Sequence, residues 1–319
     1  MKELNYKIWT LTDGSQGMIS QVIGLAKEFG DDIFQIKTDL RFPWTFLQPG
    51  ILPTSRWIFK NYLPYNNKPK IVISCGRKSV YLSIFLKKKF KDIINIHIQN
   101  PKISFSNFNY IVAPNHDNIL ANNVINSVGA LHKFSSEIIS NTKNIEGISE
   151  KDLVTCIIGG QNQHYNFNIN EAEDLCFKLI NLKKNNSKMN LLVLTSRRTV
   201  DPIKKILKKN LSSISTIWLG EGQNPYEFAL KYSKYFIVTS DSTSMISESA
   251  ITGKPIYIYN LPFKRVSKRF EKFHNEFKNL NITRDFNEKI ILSNWEYKPL
   301  NESKRISGII KERIIEDSL

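Results

Sequence analysis

The stretch from Tyr235 to Leu261, YFIVTSDSTSMISESAITGKPIYIYNL, constrains the fold more than any other part of the chain. An apolar, β-branched run (Tyr235 to Val238) ends in a polar turn, Thr239 to Ser244. A helix-compatible segment carrying Glu248 follows, and Gly253-Lys254-Pro255 leads into a second β-rich run. Strand, loop, helix, strand is a βαβ unit. Its turn lies at the carboxyl edge of a parallel sheet, where ligands bind, and its helix N-terminus offers free N–H groups to an anion. The hydroxyls of Ser242, Thr243 and Ser244 suit a diphosphate. Ser244 and Glu248 are four residues apart, so the carboxylate shares a helix face with the phosphate site and is spaced to accept from ribose hydroxyls. The same residues read equally well as a serine-rich N-cap and a solvated glutamate.

The rest of the chain repeats the alternation. Strands are expected at Lys7 to Leu11, Ile33 to Ile36, Ile71 to Ser74, Ile94 to Gln99 and Tyr110 to Ala113. Helices are expected from Ser20 to Phe29 and from the Cys75-Gly76-Arg77 turn through Leu86. Polar residues from Ser135 to Asp152 suit a linker, after which strands resume at Leu153 to Ile158, Leu191 to Thr195, Thr216 to Leu219, Tyr235 to Thr239 and Pro255 to Tyr259. Alternating strands and helices imply parallel pairing with right-handed crossovers. At 319 residues the chain is long for one domain, so two Rossmann-like domains are expected, 1–148 and 149–319.

No apolar run reaches the length of a membrane span, and the N-terminal residues enter a strand without a charged-then-apolar signal pattern, which predicts a cytoplasmic protein. Cys75, Cys156 and Cys176 lack metal-ligand spacing and read as reduced and structural. The formal charge of +16 invites a nucleic-acid reading. Abundant Lys, Asn and Ile point to codon bias as one source of it, and neither zinc-finger spacing nor an RNP-like aromatic pattern is present. Specific nucleic-acid binding is therefore not expected, and an anionic lipid surface or a phosphorylated substrate suits the charge better.

The chain resembles a known family through eight ordered motifs. They are LTDGSQGMISQVIGLA (Leu11 to Ala26), SCGRKS (Ser74 to Ser79), IQNPKI (Ile98 to Ile103), APNHDN (Ala113 to Asn118), IIGG (Ile157 to Gly160), TSRRT (Thr195 to Thr199), SDSTSMISESAITGKP (Ser240 to Pro255) and KRFEKFH (Lys268 to His274). In this order they resemble the mitochondrial-fission (elongated-mitochondria factor) family, plant and bacterial. The last βαβ unit is also similar to the donor segment of GT-B glycosyltransferases and UDP-GlcNAc epimerases.

The resemblance implies a GT-B-like α/β fold: two Rossmann-like domains whose parallel sheets face a central cleft, with a final helix (about 301–316) folding back on the first domain. It implies a nucleotide sugar as donor substrate, held by Gly159, Gly160, Gln161, Ser242, Thr243, Ser244 and Glu248, with no tightly bound cofactor and no metal. Arg197 and Arg198 follow a strand and could neutralise a departing diphosphate, although a surface ion pair fits them too. Gly14, Gly17, Gly76, Arg77, His116 and Asp117 would form the acceptor side. Asp13 is the candidate general base, or a turn-initiating aspartate bonded to its own backbone. The expected activity is metal-independent sugar transfer at the cytoplasmic membrane face. The alternatives are a non-catalytic membrane-associated adaptor and a nucleoside-diphosphate-sugar epimerase.

Residues Arg41 to Tyr65 stand apart. Arg41, Phe42, Trp44, Phe46, Arg56, Trp57, Phe59 and Lys60, broken by Pro43, Pro49 and Pro53, suit a bilayer interface or the core of a proline-rich excursion. The interface reading favours a lipid-linked acceptor or an anionic membrane surface as partner.

Overall fold

A computed structural model describes residues 6–60, 63 and 68–316. The chain divides into two compact units, Met1–Lys133 with Asn301–Leu319, and Phe134–Leu300.

The first unit contains β1 (Ile8–Thr12), α1 (Gln16–Lys27), β2 (Ile33–Lys37), β3 (Ile71–Cys75), α2 (Arg77–Lys89), β4 (Ile94–Ile98), β5 (Tyr110–Pro114) and β6 (Val124–Ser127). Its strands form one parallel sheet in the order β2-β1-β3-β4-β5-β6. Every residue of β1, β3 and β5 is buried, because a parallel sheet is covered by its crossovers on both faces. The winding reverses between β1 and β3, so the loops after those two strands flank a topological switch point.

Helix α1 starts at Gln16, earlier than the periodicity predicts. Gly17 therefore lies in its first turn and not in the loop. No neighbour approaches within 4 Å of a Cβ built there, so nothing demands a glycine. Gly14, by contrast, has a φ of +93°, a left-handed conformation that favours glycine.

The second unit holds α3 (Ser136–Ser140), β7 (Leu153–Ile158), α4 (Ile169–Asn185), β8 (Asn190–Thr195), α5 (Asp201–Leu211), β9 (Thr216–Trp218), α6 (Tyr226–Tyr232), β10 (Tyr235–Thr239), α7 (Thr243–Ala250), β11 (Ile256–Tyr259), α8 (Lys268–Asn279) and β12 (Thr283–Asp285). The strand order is β12-β11-β10-β7-β8-β9, again all parallel. Asn168 and Glu171 close a reciprocal capping box at the start of α4. Leu175, Leu179 and Leu182 then recur at helical spacing and bury against Val154, Cys156 and Val193 of the sheet.

Residues 134–148, expected with the first domain, group with the second unit. Lys231 donates to the Thr142 carbonyl at 2.6 Å, and the Phe134 ring lies 5.6 Å from that of Tyr226. The final helix, α9 (Glu302–Glu316), belongs to the first unit. Ile306 and Ile310 sink into the core with Val22 and Leu25, while Glu302 accepts from the Val128 amide at 2.8 Å.

The three cysteines are buried and free. Burial pushes the thiols of Cys75 and Cys156 far up and that of Cys176 up to about 12. None is poised as a thiolate nucleophile.

Candidate functional site

In the second unit the chain winds from β7 out to β8 and β9, then crosses back to β10, β11 and β12. The switch point thus falls between β7 and β10, where the carboxyl-edge crevice of such a sheet opens. Three loops converge there: Gly159-Gly160 after β7, Ser196 to Thr199 after β8, and Ser240-Asp241-Ser242 after β10.

Both glycines are required by close approach. A Cβ on Gly159 would lie 2.1 Å from Asp241 Oδ2, and one on Gly160 would lie 2.1 Å from the Arg198 carbonyl oxygen. The Gly159 amide donates to Thr239 Oγ1 at 2.8 Å and the Gly160 amide to Asp241 Oδ2 at 3.0 Å. Thr239 donates in turn to Asp241 Oδ1 at 2.6 Å. From the β8 side, Ser196 and Thr199 donate their hydroxyls to the Gly159 carbonyl at 2.9 and 2.5 Å.

Asp241 is the centre of this arrangement, and its side chain is fully buried. Arg198 reaches it at 2.7 Å and also donates to the Gly160 carbonyl at 3.1 Å. A buried carboxylate must be paired and hydrogen-bonded, and this one is satisfied on both oxygens. Arg198 is therefore engaged by the protein. Arg197 is exposed and forms no ion pair among the described residues, and Gln161 is exposed in the loop beyond Gly160.

The loop after β10 is fixed from behind. The Ser240 amide donates to the Tyr259 carbonyl at 3.0 Å, and Ser240 Oγ accepts from the Leu261 amide at 2.9 Å. His274 of α8 donates from Nε2 to the Ser240 carbonyl at 3.0 Å, its neutral form held by burial that lowers its pKa to about 4. The KRFEKFH motif thus supports the loop through its last residue.

Ser242 is the N-cap of α7 and accepts from the Met245 amide at 3.4 Å. The half-buried Thr243 and Ser244 have hydroxyls with no hydrogen bond among the described residues. One turn further, Glu248 Oε2 accepts from the Tyr226 hydroxyl at 2.6 Å. Tyr226 is half-buried, and desolvation together with the neighbouring carboxylate raises its pKa well above 10, so the phenol keeps its proton. Sequence reasoning missed Tyr226, which lies 22 positions before Glu248 on another helix with no local pattern to link them, and it did not single out Asp241, whose role depends on loops from three strands.

In the first unit, Asp13 and Gly14 follow β1, and Gly76 follows β3, so these residues stand at that sheet's switch point. Asp13 Oδ1 accepts from the Ser15 amide at 2.9 Å, closing a turn on its own backbone. Gly76 has a φ of +89°, and a Cβ there would lie 2.5 Å from Met18 Sδ. Arg77 donates to the carbonyls of Thr45 and Leu47, so it holds a loop rather than standing open. His116 and Asp117 lie in a short turn after β5 with Nε2 and Oδ1 3.8 Å apart. Their strand is three places from β1, about 14 Å at ordinary strand spacing.

A cavity of about 260 Å³ is lined by Ile84, Lys87, Lys88 and Phe108. It adjoins the last turn of α2, at the amino edge of the sheet, away from the switch-point loops. Among the described residues no cluster of His, Cys, Asp and Glu could hold a metal ion, and no helix is long and apolar enough to cross a membrane.

Comparison with known proteins agrees with this architecture. The chain is similar over 97% of its length to a UDP-GlcNAc 2-epimerase from Neisseria meningitidis bound to UDP-GlcNAc, with 99% of that chain covered, 13% identity and a TM-score of 0.51. It is similar over 99% of both chains to the glycotransferase of kitacinnamycin, with 10% identity and a TM-score of 0.52. These likenesses give the fold: GT-B-like, with two Rossmann-type parallel sheets.

In sequence, the chain is 30% identical to the uncharacterized protein RP120 of Rickettsia prowazekii (strain Madrid E), covering 95% of this chain and 97% of that protein. It is 23% identical to the mitochondrial fission protein ELM1 of Arabidopsis thaliana, covering 77% of this chain and 64% of the plant protein. The family model for mitochondrial fission ELM1 matches residues 16–314. The chain belongs to the mitochondrial fission ELM1 family.

Proposed function

We propose that this GT-B-like protein binds a nucleotide sugar at the switch point of its second unit and transfers the sugar, without a metal, to a lipid-linked acceptor at the inner membrane face. One observation carries the reading. At the start of α7, Thr243 and Ser244 present hydroxyls without hydrogen-bond partners among the described residues beside the β7/β10 crevice, and Glu248 lies one turn further in on the same helix. Phosphate oxygens accept from such hydroxyls and from the first helical amides, and the carboxylate accepts from a ribose. Arg197, exposed on the adjacent loop and without an ion pair among the described residues, is placed in this reading to meet the diphosphate as it departs. The similar epimerase of Neisseria meningitidis, solved with UDP-GlcNAc bound, supports this donor class.

Asp13 is assigned the role of base. Only its Oδ1 is committed to a backbone amide among the described contacts, which leaves Oδ2 to take the acceptor's proton.

A second reading, a non-catalytic adaptor that keeps the fold, draws on Asp241. Its carboxylate already holds the Gly160 amide and Arg198, groups that a diphosphate would otherwise use.

Titration calorimetry with UDP-, GDP-, ADP- and CMP-sugars, followed by incubation of labelled sugars with membrane extract, separates the two. Transfer predicts donor binding that Glu248→Ala weakens, and label in the lipid fraction that Asp13→Asn lowers while donor binding stays. Absence of binding to every nucleotide tried leaves the adaptor.

A further inference from the structure

The loop between β2 and β3 is unlike the rest of the surface. Phe42, Phe46, Ile51 and Trp57 are 79%, 76%, 61% and 58% exposed, a concentration of large apolar side chains that a soluble face ordinarily avoids. Trp44, Ile58 and Phe59 from the same loop are buried in the core. The segment has an anchored side and an open side.

The open side is held rigidly. The Arg41 amide donates to the Ile58 carbonyl at 2.8 Å, Arg41 Nε to the Trp57 carbonyl at 2.9 Å, and Trp44 Nε1 to the Pro53 carbonyl at 3.1 Å. From α2, Arg77 grips the carbonyls of Thr45 and Leu47, and the Tyr81 hydroxyl donates to Leu47 at 3.1 Å. Trp57 stands edge-on to the buried Trp44 at 4.8 Å between ring centroids. Exposed rings mounted on fixed backbone lose little conformational freedom on binding.

Charge singles out the same region. From Leu40 to Lys91 the sequence contains no Asp or Glu; the segment itself carries Arg41, Arg56 and Lys60, and Arg77 and Lys78 begin the helix that grips it. Of the flanking acids, Asp39 lies 3.8 Å from Lys60 in an exposed pair weak enough to exchange for a lipid phosphate, and Asp92 pairs with Lys68.

We propose that residues 41–60 are a bilayer-docking surface for anionic lipid, in which Phe42, Phe46, Ile51 and Trp57 enter the headgroup boundary while Arg41, Arg56 and Lys60 meet lipid phosphates. Rings and aliphatic side chains at the tip with cations around them match the layering of a membrane interface. A nucleic acid fits less well: Phe42 and Phe46 stand edge to face at 6.5 Å and do not offer parallel platforms for bases, and Ile51 has no ring to stack. A second copy would set two acid-free surfaces against each other. The inference extends the membrane-face part of the proposed function, and its test uses no nucleotide, so either can fail alone.

The test is flotation of the full chain with phosphatidylcholine vesicles, with and without phosphatidylglycerol. The expected result is flotation only with phosphatidylglycerol, lost when salt is raised to about 0.5 M, where the Debye length falls to about 4 Å. Trp57 emission should shift to the blue on binding, read as the difference from Trp57→Phe. Phe42→Ser with Phe46→Ser should lower the bound fraction about tenfold or more, and Lys60→Glu about fivefold. These residues are exposed, and an unchanged melting curve checks that the variants fold. No flotation, or flotation indifferent to phosphatidylglycerol or to the phenylalanine pair, overturns the proposal. So does a self-association or RNA retention that the same pair abolishes without any vesicle binding.

Discussion

The carboxylate of Asp241 meets the guanidinium of Arg198 at 2.7 Å and holds the Gly160 amide on the same oxygen. One side chain therefore ties together the loops after β7, β8 and β10. The carboxyl edge of the second sheet is fixed by a buried charge, and the helix that begins two residues later takes its position from that anchor.

Asp241→Ala should be strongly destabilising. It leaves a buried amide and the Thr239 hydroxyl without their acceptor, at about 1–3 kcal/mol for each group, while the exposed Arg198 turns to solvent. Asp241→Asn keeps the shape but turns one acceptor into a donor, and about 1–3 kcal/mol is expected. Urea unfolding measures both. An alanine variant as stable as the native chain would show that the pair does not hold the loops.

The glycines should separate sharply. Gly159→Ala and Gly160→Ala each drive a methyl to 2.1 Å from an oxygen, Asp241 Oδ2 in one case and the Arg198 carbonyl in the other. Each should lower the melting temperature and shift the Asp241 loop. Gly17→Ala meets nothing within 4 Å in the first turn of α1, and should be neutral or stabilising by up to about 1 kcal/mol. Thermal melts of the three variants, side by side, decide it.

Stability should fall in acid before most carboxylates titrate. Burial lowers the pKa of His97 to about 3 and that of His274 to about 4, from 6.5. Between those values and 6.5 the unfolded chain takes up protons that the folded chain refuses. Stability is therefore full above about pH 6.5 and declines as pH falls toward 4, by on the order of 3 kcal/mol for His274 alone. His274→Gln should cost stability at pH 7 and flatten this decline. Urea midpoints from pH 7.5 to about 4.5 test the slope.

Tyr226→Phe should leave the fold intact and loosen Glu248. The variant removes only the hydroxyl that donates to Oε2 at 2.6 Å. If Glu248 holds a ribose, affinity for a nucleoside diphosphate should drop about threefold to tenfold, and the drop should vanish for the matching dideoxyribose analogue. Equal losses for both nucleotides would assign Tyr226 a packing role alone.

Much of this architecture can be read from residue order. Strands such as Leu153–Ile158 and Tyr235–Thr239 are continuous apolar runs ending in Gly or Ser-rich turns, and that local pattern suffices to mark parallel, doubly covered strands. Two of the edge strands carry no such mark. Val124–Ser127 and Thr283–Asp285 are four and three residues long, too short for a period, and exist because a neighbour offers its unpaired edge. Likewise α1 gains a turn at Gln16–Gly17 that propensity discourages, since a glycine in a first helical turn costs little.

By itself the sequence determined the class of the fold, the loops that end each strand and the residue types available in them, because all of these depend on neighbours a few positions apart. Only the tertiary structure decided which of those residues are committed. Arg197 and Arg198 are adjacent and chemically identical, yet Arg198 is bound to Asp241 and Arg197 forms no ion pair among the described residues. Arg77 reads as an open cation and is spent on two carbonyls more than thirty residues away in the chain. Glu248 reads as solvated and is fixed by Tyr226. Pairings of this kind depend on which loops the strand order brings together, and a strand order that crosses from β9 back to β10 leaves no trace in local composition.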